Sequence, residues 1–149
     1  MCACALLLSF SIHAAAQQQP ALAGTFAIDP DVVQTDDQTT VTLTIKLANE
    51  GDEPLSSIQV LLMPSDAEEA GDDVGAEIAF GSFERISIGV GQSARLRATI
   101  TVPADEWARW HTKQGPTFWL SYVDDTAQPV SRRWYFARVS SIPSTPDAF

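Results

Sequence analysis

Beyond its fourth residue the chain contains no cysteine: Cys2 and Cys4 are the only two, and both lie in an N-terminal apolar run. With that run removed, the remainder has no disulfide, no thiol nucleophile and no Cys-based metal site. Histidine is almost as scarce. His13 falls in the same run and leaves His111, with no Ser or Cys elbow motif near it, whereas a catalytic triad needs a nucleophile, a base and an orienting acid. His111 therefore reads as a solvated loop residue beside Trp110. Copper or zinc sites built from several His, Cys or Met also lack ligands, because His111 and Met63 are the only candidates past the N-terminal run. Neither an enzyme nor a cofactor is expected.

Positive charge is in short supply as well. Lys and Arg number 9 against 19 Asp and Glu, for a formal net charge of -10. A surface that neutralises phosphates is missing, which disfavours nucleic acid, and an anionic membrane is disfavoured for the same reason. No apolar segment is long enough to span a bilayer.

What the chain does have begins with Met1 to Ala16, an apolar centre ending in small residues of the A-x-A kind. This reads as a secretory signal peptide cleaved near Ala16, so the product is periplasmic or secreted. No Lys or Arg precedes its apolar run, a departure from the usual pattern. Cys4 is not a lipidation site, since only Met1, Cys2 and Ala3 stand before it. Residues 17–23 then form a polar linker, residues 24–141 a single domain, and residues 142–149 a flexible tail. Acidic residues crowd between Asp29 and Glu77, where Lys46 is the lone base, and arginines dominate from Arg85 onward. The molecule is expected to be dipolar.

Gly89 to Pro103 is a glycine-pinned turn, then strict alternation, then a proline stop. Ala94, Leu96, Ala98, Ile100 and Val102 fall on one face of a strand, and Arg95, Arg97, Thr99 and Thr101 on the other. Val41, Leu43, Ile45 and Leu47, backed by Thr40, Thr42, Thr44 and Lys46, repeat the pattern. Two such strands imply an antiparallel sheet with one wet face. Further strands are expected near Thr25 to Ile28, at Ser57 to Met63, at Glu77 to Phe80, at Glu84 to Ile88, at Thr117 to Val123 and at Arg132 to Ser140. Between Pro103 and Pro116 the β rhythm breaks; Asp105 is placed as a helix N-cap, with Trp107 and Trp110 on one face of a short helical turn. The fold class is all-β: an antiparallel β-sandwich of about seven to eight strands with one short helical turn.

Thr39 to Asp52, with its Asn49-Glu-Gly turn, Ser57 to Leu62, and Gly91-Gln-Ser93 followed by the alternating strand and Val102-Pro-Ala-Asp105 resemble bacterial immunoglobulin-like modules. The modules in question are the cell-adhesion-related and α-galactosidase-associated extracellular domains. The resemblance covers roughly residues 39–105 and implies an immunoglobulin-like sandwich; its motifs are structural, and one architecture hosts many roles. The segment from Glu106 to Pro116, with its two tryptophans, is an insertion relative to that pattern.

Two constellations bear on function. Asp66, Glu68, Glu69, Asp72 and Asp73 cluster in one loop and form a weak calcium candidate, since hard cations take six to eight oxygen ligands, although the spacing is not that of an EF-hand. The stronger lead is aromatic. All four tryptophans, Trp107, Trp110, Trp119 and Trp134, fall in the last third of the chain, with Tyr135 and the bases Arg132 and Arg133 beside them. Either the helical turn folds back, so that Trp107 or Trp110 caps the outer face of the Trp119 strand and the aromatics are core, or they form an exposed patch for a partner. The resulting expectation is an exported, non-catalytic binding or assembly module contacting another exported or cell-surface protein, and possibly a glycan. A carbohydrate-binding module stacking sugars on surface Trp and Tyr, and a periplasmic chaperone-like protein offering a strand edge, are the alternatives.

Overall fold

The computed structural model describes residues 22–67, 79–112, 115–123 and 129–143. Their elements are β1 (Leu22–Ile28), β2 (Val33–Gln34), β3 (Gln38–Asn49), β4 (Leu55–Met63), β5 (Gly81–Ser82), β6 (Ile86–Ile88), β7 (Ser93–Pro103), α1 (Ala104–Trp110), β8 (Thr117–Val123), β9 (Pro129–Trp134) and β10 (Ala137–Arg138). They build an all-β sandwich of two sheets with one helix. In the first sheet β3 carries β1 and β2 along one side and β7 along the other, and β10 lies outside β1. In the second, the order is β5-β4-β8-β9, with β6 also on β4.

The alternating pattern of the sequence decides which faces meet. Val41, Leu43, Ile45 and Leu47 of β3 are fully buried, and they pack with Leu96, Ile100 and Val102 of β7 against Ile58, Val60, Phe118 and Leu120 from the other sheet. The wet side of β3 and β7 is held by paired hydroxyls, Thr40 to Thr101 and Thr42 to Thr99, each at 2.8 Å. Cross-strand threonine pairs of this kind stabilise a ladder while leaving its outer face hydrated. The turn after β3 closes as its Asn-x-Gly sequence implies: Asn49 Oδ1 accepts from Gly51 N at 3.0 Å, and its Nδ2 donates to the carbonyls of Glu53 and Ile88. Gly91, at φ 70, donates its N–H to Asn49 O at 2.9 Å and so ties the turn before β7 to the same corner.

Three boundaries differ from the sequence expectation, each for a packing reason. Strand β1 starts at Leu22, inside the residues assigned to a linker, because the Leu22 side chain is buried and its backbone pairs with Asn49. Gly81, which lies between the strands expected at Glu77 to Phe80 and at Glu84 to Ile88, belongs to β5; a Cβ there would sit 2.9 Å from Ile100 Cγ1, so the glycine permits a close approach between the sheets. The expected strand from Glu77 falls partly outside the described residues. The single last strand is two, interrupted at Tyr135 and Phe136. Phe136 turns into the core, 5.0 Å from the Phe118 ring, and the chain crosses from β8 in one sheet to a parallel pairing with β1 in the other.

Helix α1 corrects the proposed cap. The N-cap is Pro103, at φ -57 and ψ 149, with no side-chain capping bond, and Asp105 lies within the first turn. The chain passes straight from strand to helix, so the cap position falls on Pro103, which has no acceptor side chain, and the Ala104 amide donates instead to Asp37 O at 3.0 Å. Asp105 and Glu106 still favour the positive end of the short helix dipole.

Candidate functional site: the aromatic third and the β7 edge

The tryptophans do not form an exposed patch. Trp110 is 3% exposed and joins the main core; Trp119 is 4% exposed. Trp107 is half-buried, edge-on to Trp110 with ring centroids 5.6 Å apart, and Trp134 is half-buried against the same core. Among the predicted aromatic site residues only Tyr135, at 83% exposure, stands in solvent. Of the two readings of the aromatic third, burial in the core describes Trp110 and Trp119, while Trp107 and Trp134 keep part of their surface in solvent.

The cover over Trp119 is not the helix. Helix α1 packs on β7 and β3, at the end of the first sheet. Trp119 instead joins Leu61, Met63 and Ala67 in a second small cluster, with Ala79 packed against it. Arg133 stands directly across from Trp119 in the β8–β9 register, and its Nη2 donates to the Ala67 carbonyl. Trp119 Nε1 and Arg133 Nε are both buried and have no hydrogen-bond partner among the described residues. Arg132 lies on β9, with its side chain outside the described residues.

The residue that sequence reasoning missed is Glu106. It is 3% exposed, and Oε1 accepts from Trp110 Nε1 at 2.9 Å, from Ser65 N at 3.1 Å and from the Ser65 hydroxyl. Arg109 Nη1 lies 3.5 Å from the other oxygen. A buried carboxylate is tolerable only with such partners, and these fasten α1 to the segment after β4. Its neighbour Asp105 carries the obvious cap signal and drew attention from it. His111 is exposed, with Nδ1 2.9 Å from Trp107 O and its ring edge-on to Trp107, so its aromatic neighbour is Trp107 and not Trp110.

Of the calcium candidates, Asp66 is exposed, while Glu68, Glu69, Asp72 and Asp73 lie outside the described residues. Among the described residues no group of three or more His, Cys, Asp or Glu is arranged to hold a metal ion. An open cleft of about 410 Å³ lies between the start of β4, the end of β6 and Val123, lined by Leu55, Ser56, Ile88 and Gly89 among others.

What the surface does present is a strand edge. The 11 residues of β7 pair with β3 along their whole length and, among the described residues, with no other strand. Other strands at the sheet margins are shorter: β9 has 6 residues, β6 has 3, and β2, β5 and β10 have 2 each. The direction of each β7 backbone group follows from the ladder. Asn49 N donates to Gln92 O at one end and Ala104 N to Asp37 O at the other. Hydrogen-bonded and non-bonded pairs alternate in an antiparallel ladder, so Ala94, Leu96, Ala98, Ile100 and Val102 bond to β3. The N–H and C=O groups of Arg95, Arg97, Thr99 and Thr101 point away from it, toward the open side. All four of these residues are exposed.

The same edge is basic. Lys46 stands directly across the ladder from Arg95, and Arg97 follows on the same face. Arg97 Nη2 meets Asp29 Oδ2 at 2.7 Å with its side chain still 66% exposed, and Arg95 donates to the Pro143 carbonyl.

No family model and no curated protein matches the chain. Solved structures with a similar trace include a GH20 exo-β-N-acetylglucosaminidase from Vibrio harveyi, at 12% identity and a TM-score of 0.42, covering 85% of this chain and 19% of that one. Another is a structural-genomics target, SoR45, at 10% identity and a TM-score of 0.41, with 87% and 92% covered. A β-glucosidase from Kluyveromyces marxianus follows at 12% identity and a TM-score of 0.27, with 79% and 15% covered. The chain thus spans about a fifth of the length of the Vibrio enzyme. Of the immunoglobulin-like resemblance, the two-sheet all-β sandwich is what the structure carries.

Proposed function

We propose that this protein is an exported, non-catalytic binding and assembly module of the periplasm or cell surface, and that it contacts another protein through the open edge of β7. One observation carries the proposal: a long strand whose outward amides and carbonyls, at Arg95, Arg97, Thr99 and Thr101, meet no other strand among the described residues. Such a row is a template for an added strand, in which main-chain bonds supply affinity and alternate side chains supply specificity. Burial of Trp110 and Trp119 removes both rings as platforms for stacking sugars.

Proline scanning tests the edge. Thr99→Pro removes an amide that faces outward, whereas Ala98→Pro removes one that bonds to β3. With the protein as bait in an envelope extract, Thr99→Pro should lose the partner retained by the wild type while unfolding stays cooperative; Ala98→Pro should lose the fold. Capture of the same partner by Thr99→Pro would remove the edge from consideration.

A further inference from the structure

We infer that the segment received by β7 is an extended, acidic one, with carboxylates two residues apart. This rests on the edge reading above and specifies its occupant. Arg95 and Arg97 both belong to the set whose backbone faces outward, so each forms a hydrogen-bonded pair with a residue of the incoming strand. Their side chains share the outer face with Lys46. Residues of the added strand opposite Arg95 and Arg97 are therefore two apart and point to that same face. A carboxylate at each position meets a guanidinium directly across the ladder, the cross-strand arrangement that stabilises pairing.

The charge pattern of the chain supports this occupant. In a protein of net charge -10, Lys46 and Arg95 face each other across β3 and β7, although like charges placed opposite one another oppose pairing. The pair concentrates positive charge on the outer face beside the edge. Arg97 already has Asp29 at 2.7 Å, which shows the geometry in which its guanidinium takes a carboxylate. A guanidinium has five donors, and Asp29 engages Nη2, so others are open to a second acid. A second copy of the chain fits less well. Paired antiparallel about Ala98, it would set Arg95 against Thr101 and Arg97 against Thr99, doubling the arginines in the ladder without bringing a carboxylate to either.

The test uses the whole protein and labelled, strand-prone peptides of about ten residues, identical except at two alternate positions that carry Glu, Gln or Lys. Binding is followed by fluorescence anisotropy, and amide exchange of β7 by nuclear magnetic resonance. The Glu peptide is expected to bind at least about tenfold more tightly than the Gln peptide, and to lose that advantage as salt shortens the range of the charges. It should slow exchange at Arg95, Arg97 and Thr99, and the double variant Arg95→Glu, Arg97→Glu should prefer the Lys peptide. Equal, salt-insensitive binding of the Glu and Gln peptides, with the same amides protected, would overturn the acidic specificity and leave the edge standing. Amides of Arg95, Arg97 and Thr99 that are already slow without peptide would overturn the edge itself. Self-association of the protein with protection of those amides would replace the acidic segment with a second copy.

Discussion

Removing the Glu106 carboxylate should loosen the protein at one identifiable seam. In Glu106→Ala the indole N–H of Trp110, inside the core, loses its acceptor at 2.9 Å, and Ser65 N loses one at 3.1 Å. A buried donor left without a partner costs about 1–3 kcal/mol. Ser65 is only half-buried, so water recovers part of its share. Arg109, with its side chain 42% exposed and 3.5 Å from Glu106, adds little. The sum is about 2–4 kcal/mol, mostly from Trp110. For a domain of this size that lowers the melting temperature by about 6–16 °C. Glu106→Gln, which keeps an acceptor oxygen, should recover roughly half of the loss. Urea titrations of Glu106→Ala, Trp110→Phe and the double variant form a cycle whose coupling should be about 1–2 kcal/mol. A coupling near zero would refute the Glu106–Trp110 bond, and a Glu106→Ala protein as stable as the wild type would refute the idea that this carboxylate fastens α1 to the segment after β4.

Other outcomes follow from packing. Gly24→Ala places a Cβ 2.3 Å from the Phe136 ring and should destabilise by about 1–3 kcal/mol in a denaturant titration, since the ring must leave its place in the core. Trp119→Ala should cost about 3–5 kcal/mol, whereas Tyr135→Ala should change stability by less than about 0.5 kcal/mol, the contrast expected from 4% and 83% exposure. Comparable losses at the two positions would contradict the burial described for them. Thr99→Pro and Ala98→Pro, adjacent residues on one strand, should differ sharply in melting temperature because only the second breaks a backbone bond to β3, whereas the first loses just the exposed hydroxyl pair with Thr42.

The parts of the fold that could be read from the residues were those governed by a short period. β3 and β7 follow a strict alternation, and both alternating runs, Thr40 to Leu47 and Ala94 to Val102, lie wholly inside the observed strands. The helical turn was equally visible in the break of rhythm between Pro103 and Pro116. What the pattern could not show was long-range choice. Trp119 and Tyr135 are both aromatic residues amid strands, yet Trp119 is covered by Ala67, about fifty residues earlier in the chain, and Tyr135 by nothing described. Glu106 escaped notice because a lone acid in a helix normally faces water. Its burial depends on Ser65, which no local spacing reveals. The β7 edge was hidden for a related reason: the alternation that marks a strand is silent about how many neighbours the strand has. Arg95 and Arg97 fall on the wet face of that pattern and are exposed, but alternation does not show that their backbone groups also point away from β3.

The crossing at Tyr135 and Phe136 has a mechanical consequence. By leaving β8 and settling parallel to β1, the last strand lies beside the first, with Thr25 against Ala137, Phe26 against Arg138, and Val139 N donating to Phe26 O. Parallel neighbours entered from one end and left from the other are loaded in shear when the two ends of the domain are pulled apart. Bonds arranged this way share the force and must give way together, whereas a hairpin pulled at its open end unzips one bond at a time. Tension along the chain therefore meets a clasp made from its own first and last strands. The open edge of β7 lies on the far side of β3, outside that line of force.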